Sequence, residues 1–204
     1  MSNITKQGNI IINTSTLYKM QTKSLDDGSL WARIHWLDVS NTKEWFASND
    51  EVSECTNKAN RFRMMKLVDI FKSSDNYYEF MLTYPSLSSI LYNRWKQTSS
   101  ANASAVTGLT KITTAWNNHN YGIRKHASNA VYDCDTGNTW FAPIGQKSTW
   151  TSTQYIPAAD GSSQTSTELW VRFDNVKNIG SGIKESSNFS IANDFVVCNE
   201  IWEI

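Results

Sequence analysis

An alternation of apolar and polar residues in the segment YEFMLTYP, residues 78–85, constrains the fold more than any other feature of this chain. Aromatic or aliphatic residues occupy every second position from Tyr78 to Tyr84, and Glu79, Met81 and Thr83 fall between them. Successive side chains of a β-strand point to opposite faces, so the pattern predicts a strand with one buried face and one face in water. A proline ends the run.

Two further segments repeat this period. Residues 30–37 place Leu30, Ala32, Ile34 and Trp36 on one face, opposite a second face that includes Leu37. Residues 169–173 alternate in the same way. We therefore predict an all-β chain, an antiparallel β-sandwich of jelly-roll or lectin-like type with at most one or two short helices. Apolar residues approach helical spacing over residues 57–72, which predicts a short helix or turn there.

The chain length predicts one domain with short appendages. At 204 residues a single core is sufficient, and all-β domains of this size are common. We expect an N-terminal arm over residues 1–19 and one β-sandwich domain over residues 20–204, with a docked C-terminal tail. The arm holds an isolated apolar strand, NIIIN, suited to pairing with a sheet edge or with a neighbouring subunit. The predicted assembly residues are Ile10, Ile11, Ile12 and Trp202.

Charge and composition exclude several classes of partner. Basic and acidic residues number 19 each, so the basic excess that binds phosphate backbones is missing and no nucleic acid partner is expected. No apolar run is long enough for a membrane span, and no secretory signal is recognisable. The three cysteines, Cys55, Cys134 and Cys198, form no metal motif or disulfide framework, so neither a metal nor another cofactor is expected.

No motif predicts catalysis. The chain has no G-x-S-x-G elbow, and the segment DCDTGN lacks the distal glutamate of a calcium loop. Glu79 and Glu168 lie in the middle of predicted strands, where we expect them to face water or to pair with a cross-strand arginine such as Arg94 or Arg172. The chain is therefore not expected to be an enzyme.

The aromatic content leaves a second type of site open. Nine Trp, eight Tyr and eight Phe can fill a sandwich core, but exposed aromatic faces beside planar polar side chains also bind sugars. If these residues are exposed in a cleft, a glycan site is favoured, and if they are buried, a framework role is favoured. The candidate ligand-binding residues are Asn93, Arg94, Trp95, Gln97, Trp140 and Trp150.

Several strings resemble a known module. YEFMLTYPSLSSILYNRWKQTSS, GIRKHAS, TWFAPIGQ, IPAADGSSQTSTELWVRFD and the closing EIWEI resemble the C-terminal module of tail-fibre and other virion surface proteins of tailed gut bacteriophages, crAss-like phages included. The resemblance spans about residues 31–174. It implies a β-rich module displayed on a phage particle, attached to the virion or binding host-surface glycan. The module begins soon after Met1 without a shaft of repeats, which predicts a small free-standing virion component.

Three functions follow as expectations. The first is a non-enzymatic virion structural protein, either a fibre, decoration or tail-associated component, that docks by extended segments. It would be made in the host bacterial cytoplasm, contact other virion proteins and form a homo-oligomer in the particle. The alternatives are a receptor-binding module for host surface glycan and a glycan depolymerase.

Overall fold

A computed structural model describes residues 5–12, 16–40, 56–58, 61–63, 65–87, 92–115, 121–125, 132–134, 156–157 and 163–175. These residues form β-strands and one 3-10 helix, Met65–Phe71. The strands are β1 (Thr5–Ile12), β2 (Thr16–Ser24), β3 (Leu30–Asp38), β4 (Thr56–Lys58), β5 (Arg61–Arg63), β6 (Tyr78–Thr83), β7 (Tyr92–Gln97), β8 (Thr110–Thr114), β9 (Ile123–Lys125), β10 (Tyr132–Cys134), β11 (Ile156–Pro157), β12 (Ser163–Gln164) and β13 (Ser166–Arg172).

Nine of these strands form one antiparallel sheet. Its order is β1-β2-β3-β13-β6-β7-β8, and β5 pairs with both β3 and β4. Two short antiparallel pairs, β9 with β10 and β11 with β12, complete the strands of the described residues. The predicted all-β class is confirmed, and the sandwich arrangement stays a prediction.

The main core lies on the sheet face that the alternation identified. Tyr78, Phe80 and Leu82 of β6 contribute to it together with Leu169 and Val171 of β13. The 3-10 helix, which falls within the segment predicted to hold a short helix or turn, covers part of this face. Its buried residues in the core are Met65, Val68 and Phe71.

The opposite face of β6 is buried and not wet, which corrects the expectation drawn from the alternation. All six residues of β6 are buried, and Met81 packs with Trp31 and Trp170 in a second apolar cluster. Cationic side chains lie over its rings: the Lys23 Nζ is 4.4 Å from the Trp170 ring centroid and the Arg94 Cζ is 5.1 Å from that of Trp31. Long charged side chains can cover apolar surface in this way while their charged groups find partners.

A β-bulge changes the phase of β3. Leu169 pairs with His35 and the next residue, Trp170, pairs with Arg33, so Ile34 is an extra residue opposite β13. Beyond such a bulge the two faces of a strand exchange. Leu37, predicted on the second face, therefore lies in the main core with Ile34.

The N-terminal strands extend beyond the sheet. β1 and β2 pair along their whole length, from Thr5 opposite Lys23 to Ile12 opposite Thr16. β2 pairs with β3 only over Thr22–Ser24, opposite residues 30–32. Residues 35–37 on the same edge of β3 pair with β5 instead. Residues 7–12 and 16–21, called the ribbon below, therefore pair only with each other among the described strands. The predicted boundary between residues 19 and 20 falls inside β2.

Candidate functional site

The structure brings four of the predicted ligand-binding residues together on β7. Asn93, Arg94, Trp95 and Gln97 are all buried, and Asn93, Trp95 and Gln97 have no exposed surface. The other predicted site residues, Trp140 and Trp150, and the assembly residue Trp202 lie outside the described residues.

Trp95 fills the centre of the main core. Its ring centroid lies 5.7 Å from that of Phe80 and 5.8 Å from that of Tyr121, the latter in an edge-on arrangement. Its indole Nε1 donates a hydrogen bond to Gln97 Oε1 at 3.0 Å. A ring enclosed in this way cannot stack on a sugar without opening the core.

Gln97 and Asn93 connect β7 to neighbouring loops. The Gln97 Nε2 donates to the carbonyl oxygens of Ile123 at 2.8 Å and Ser99 at 2.9 Å, while its Oε1 accepts from Trp95. The Asn93 Oδ1 accepts a hydrogen bond from the backbone nitrogen of Ala115 at 3.0 Å. Buried amides must satisfy their donors and acceptors internally, and here they fix the loops that follow β7 and β8.

Arg94 is the centre of an ion-pair chain on the second face of the sheet. Its Nε donates to Glu79 Oε1 at 2.5 Å and its Nη1 donates to Asp27 Oδ2 at 2.6 Å. The Glu79 carboxylate, which is fully buried, also accepts from Arg172 Nη1 at 3.4 Å. Arg172 in turn holds Asp174 through two bonds of 2.7 and 2.9 Å. Of the two environments expected for Glu79, pairing with a cross-strand arginine is confirmed and exposure to water is wrong.

The electrostatics of the ion-pair chain favour its charged form. Partial burial works to raise the pKa of Asp27, but hydrogen bonds from Ser29 and Arg94 outweigh it and hold that pKa well below its usual range. Burial works to lower the pKa of Arg94, and the bonds to Asp27 and Glu79 reverse this and raise it. The Asp27 carboxylate is therefore held ionised by its partners.

Glu168 is the centre of a second set of polar contacts, separate from the ion-pair chain of Arg94. Its Oε1 accepts from Arg33 Nη1 at 2.8 Å, and its Oε2 accepts from Trp170 Nε1 at 3.1 Å and from Thr83 Oγ1 at 3.3 Å. Burial lowers the pKa of Arg33, while Glu168 opposes that shift. Glu168 thus pairs with a cross-strand arginine as expected, but the partner is Arg33 of β3 and not Arg94 or Arg172. Both mid-strand glutamates connect strands across the sheet.

Two contributors were missed by sequence reasoning. Asp27 lies in the turn after β2, where it accepts from Ser29 Oγ at 2.5 Å and ties that turn to Arg94. Tyr121 is buried in the core against Trp95, and burial raises the pKa of its hydroxyl to about 12. Local sequence held no signal for either role, because both depend on strands distant in the chain.

The predicted assembly residues Ile10, Ile11 and Ile12 lie in β1. They pair with Tyr18, Leu17 and Thr16 of β2. Among the described strands β1 is an outermost strand of the sheet, and β2 is the one described element with which it makes extensive contact.

Within the described residues, no group of three or more His, Cys, Asp or Glu side chains is arranged to hold a metal ion. None of the helical residues in that part of the chain forms a segment long and apolar enough to cross a membrane. Comparison of the chain with protein-family models, curated proteins and solved structures finds no match.

Proposed function

We propose that the protein is a non-enzymatic structural component of a bacteriophage particle, a fibre, decoration or tail-associated protein that docks onto other virion proteins through an extended segment. We place the protein in a phage particle because strings such as YNRWKQTSS and WFAPIGQ resemble virion surface modules. The docking mode rests on the ribbon.

The ribbon is the observation that carries the proposal. It leaves the sheet where β5 takes over the edge of β3, and beyond that point its strands pair only with each other among the described strands. A two-stranded ribbon is marginally stable by itself in water, and three or more strands are needed for independent stability. A further strand or surface supplied by another protein would give the ribbon this support. An assembly arm meets that requirement.

The interior of β7 supports the same assignment. Arg94, Trp95 and Gln97 hold strands and loops together through internal bonds, as a rigid framework requires. A framework of this kind presents the ribbon at a fixed position without needing a ligand. The glycan-binding alternative would depend on residues beyond these three.

Deletion of residues 1–15 in the encoding phage tests the proposal. The deletion removes β1 and leaves the strands that enclose the core, so the purified protein should remain folded by circular dichroism. We expect particles purified from the deletion phage to lack the protein. Ile112→Lys on β8, an exposed change at the opposite edge of the sheet, serves as the control and should be incorporated normally. Normal incorporation of the truncated protein would contradict the proposal.

A further inference from the structure

The ribbon joins the rest of the sheet through a short base, Thr22–Ser24 of β2. These residues pair with residues 30–32 of β3, and beyond them the ribbon strands pair only with each other among the described strands. Two-stranded ribbons are marginally stable by themselves. The direction in which this ribbon leaves the sheet therefore depends on what holds its base.

Lys23 holds the base by a contact that crosses β3. Its backbone pairs with Trp31 of β3, and its Nζ lies 4.4 Å from the ring centroid of Trp170 on β13, the next strand of the sheet. Burial lowers the pKa of Lys23, and the Glu168 carboxylate opposes that shift by favouring the charged form. A cation over an indole ring is stabilised by the negative face of that ring. Lys23 thus ties β2 to a strand with which β2 does not pair.

Asp27, three residues after the end of β2, holds the base by a longer reach. Its Oδ2 accepts from Arg94 Nη1 at 2.6 Å, although β3, β13 and β6 separate β2 from β7 in the sheet order. The turn after β2 therefore folds back over the second face of the sheet. Leu25 of the same turn packs against the second apolar cluster. Its backbone nitrogen donates to the Ser29 carbonyl oxygen at 3.0 Å, which closes the turn.

We propose that Lys23 and Asp27 are positioning residues, which clamp the base of the ribbon to the second face of the sheet and hold the ribbon in one direction. The two contacts lie on one face, and they leave the chain on either side of Ser24, the last residue of β2. A swing of the ribbon about its base would break them. The part of this clamp in docking rests on the proposed function, since a ribbon already held in one direction loses less conformational entropy when a partner binds it.

Hydrogen exchange of the purified full chain, followed by mass spectrometry, tests the clamp. Lys23→Gln removes the cation over Trp170, and Asp27→Asn removes the charge that faces Arg94 while keeping the shape of the side chain. Local opening controls amide exchange in a folded protein, and one ion pair or cation–π contact changes an opening constant by about two- to fivefold. We expect each variant to speed the exchange of residues 7–12 and 16–21 by about that factor and to leave β6 and β7 unchanged.

Lys111→Gln and Asp75→Asn are the matched controls. Lys111 also lies over an aromatic ring, 4.9 Å from the Tyr121 centroid, but on β8, and Asp75 is an exposed carboxylate in the loop before β6. Both controls change the charge in the same way as the test variants without touching the base. They should leave the exchange of the ribbon as it is in the wild type.

Two results would overturn the inference. The first is unchanged ribbon exchange in either Lys23→Gln or Asp27→Asn. The second is an equal acceleration in β6 and β7, because the two side chains would then support the whole domain and not the ribbon in particular. The measurement is independent of the phage experiment: normal incorporation of the 1–15 deletion would contradict the docking role and leave the clamp standing.

Discussion

Replacement of Trp95 measures whether the YNRW segment is framework. The ring has no exposed surface and contacts both Phe80 and Tyr121. Truncating a buried tryptophan to alanine costs about 3–5 kcal/mol, and leaving the buried Gln97 Oε1 without its donor adds to that loss on the order of 1 kcal/mol. For a chain of this size each kcal/mol lowers the thermal midpoint by about 2–4 °C. Trp95→Ala should therefore melt roughly 8–24 °C below the wild type.

Two companion variants make the measurement decisive. Trp95→Phe keeps an aromatic ring but removes the Nε1 donor, and it should cost about 1–3 kcal/mol, which makes it the informative variant if Trp95→Ala does not fold. Ile112→Ala, at 42% exposure, should change stability by less than about 0.5 kcal/mol. The assays are thermal and urea denaturation, with glycan-array binding in parallel. A Trp95→Ala protein that melts like the wild type while losing glycan binding would refute the framework reasoning and make Trp95 a sugar platform.

Two further predictions concern acid stability and a glycine turn. The hydrogen bonds from Ser29 and Arg94 lower the pKa of Asp27, which stabilises the folded state above pH about 4, and this contribution is lost as the pH falls below that value. Asp27→Asn should therefore flatten the decline in urea stability between neutral and acid pH. Parallel declines of the variant and the wild type would show that these bonds contribute nothing. Gly108→Ala should destabilise the protein by roughly 1–3 kcal/mol, because φ is +62° and the new Cβ would lie 2.6 Å from Thr98 side-chain atoms. Gly28→Ala, with φ +80° and no atom within 4 Å, isolates the backbone strain and should cost less by thermal denaturation; an equal loss would contradict the steric argument.

Residues close in sequence carried most of what could be predicted. The alternation from Tyr78 to Thr83 located β6 and its core face, and the same period located β3 and β13. The sequence did not predict whether Trp95 lies in the core or on the surface. Its environment is built by Phe80 and Tyr121, which lie on other segments. A pattern of period two fixes which residues share a face, but it does not say what covers that face.

The sequence by itself determined the all-β class and the positions of β3, β6 and β13, since these follow from alternation, and it offered a cross-strand arginine as one of two environments for Glu79. The tertiary structure alone decided that β13 lies between β3 and β6, that both faces of β6 are buried, and that β1 is an edge among the described strands. It also set the bulge that brings Leu37 into the core. The physical reason is range: side-chain alternation is a property of neighbouring residues, whereas strand order and burial depend on which distant segments meet.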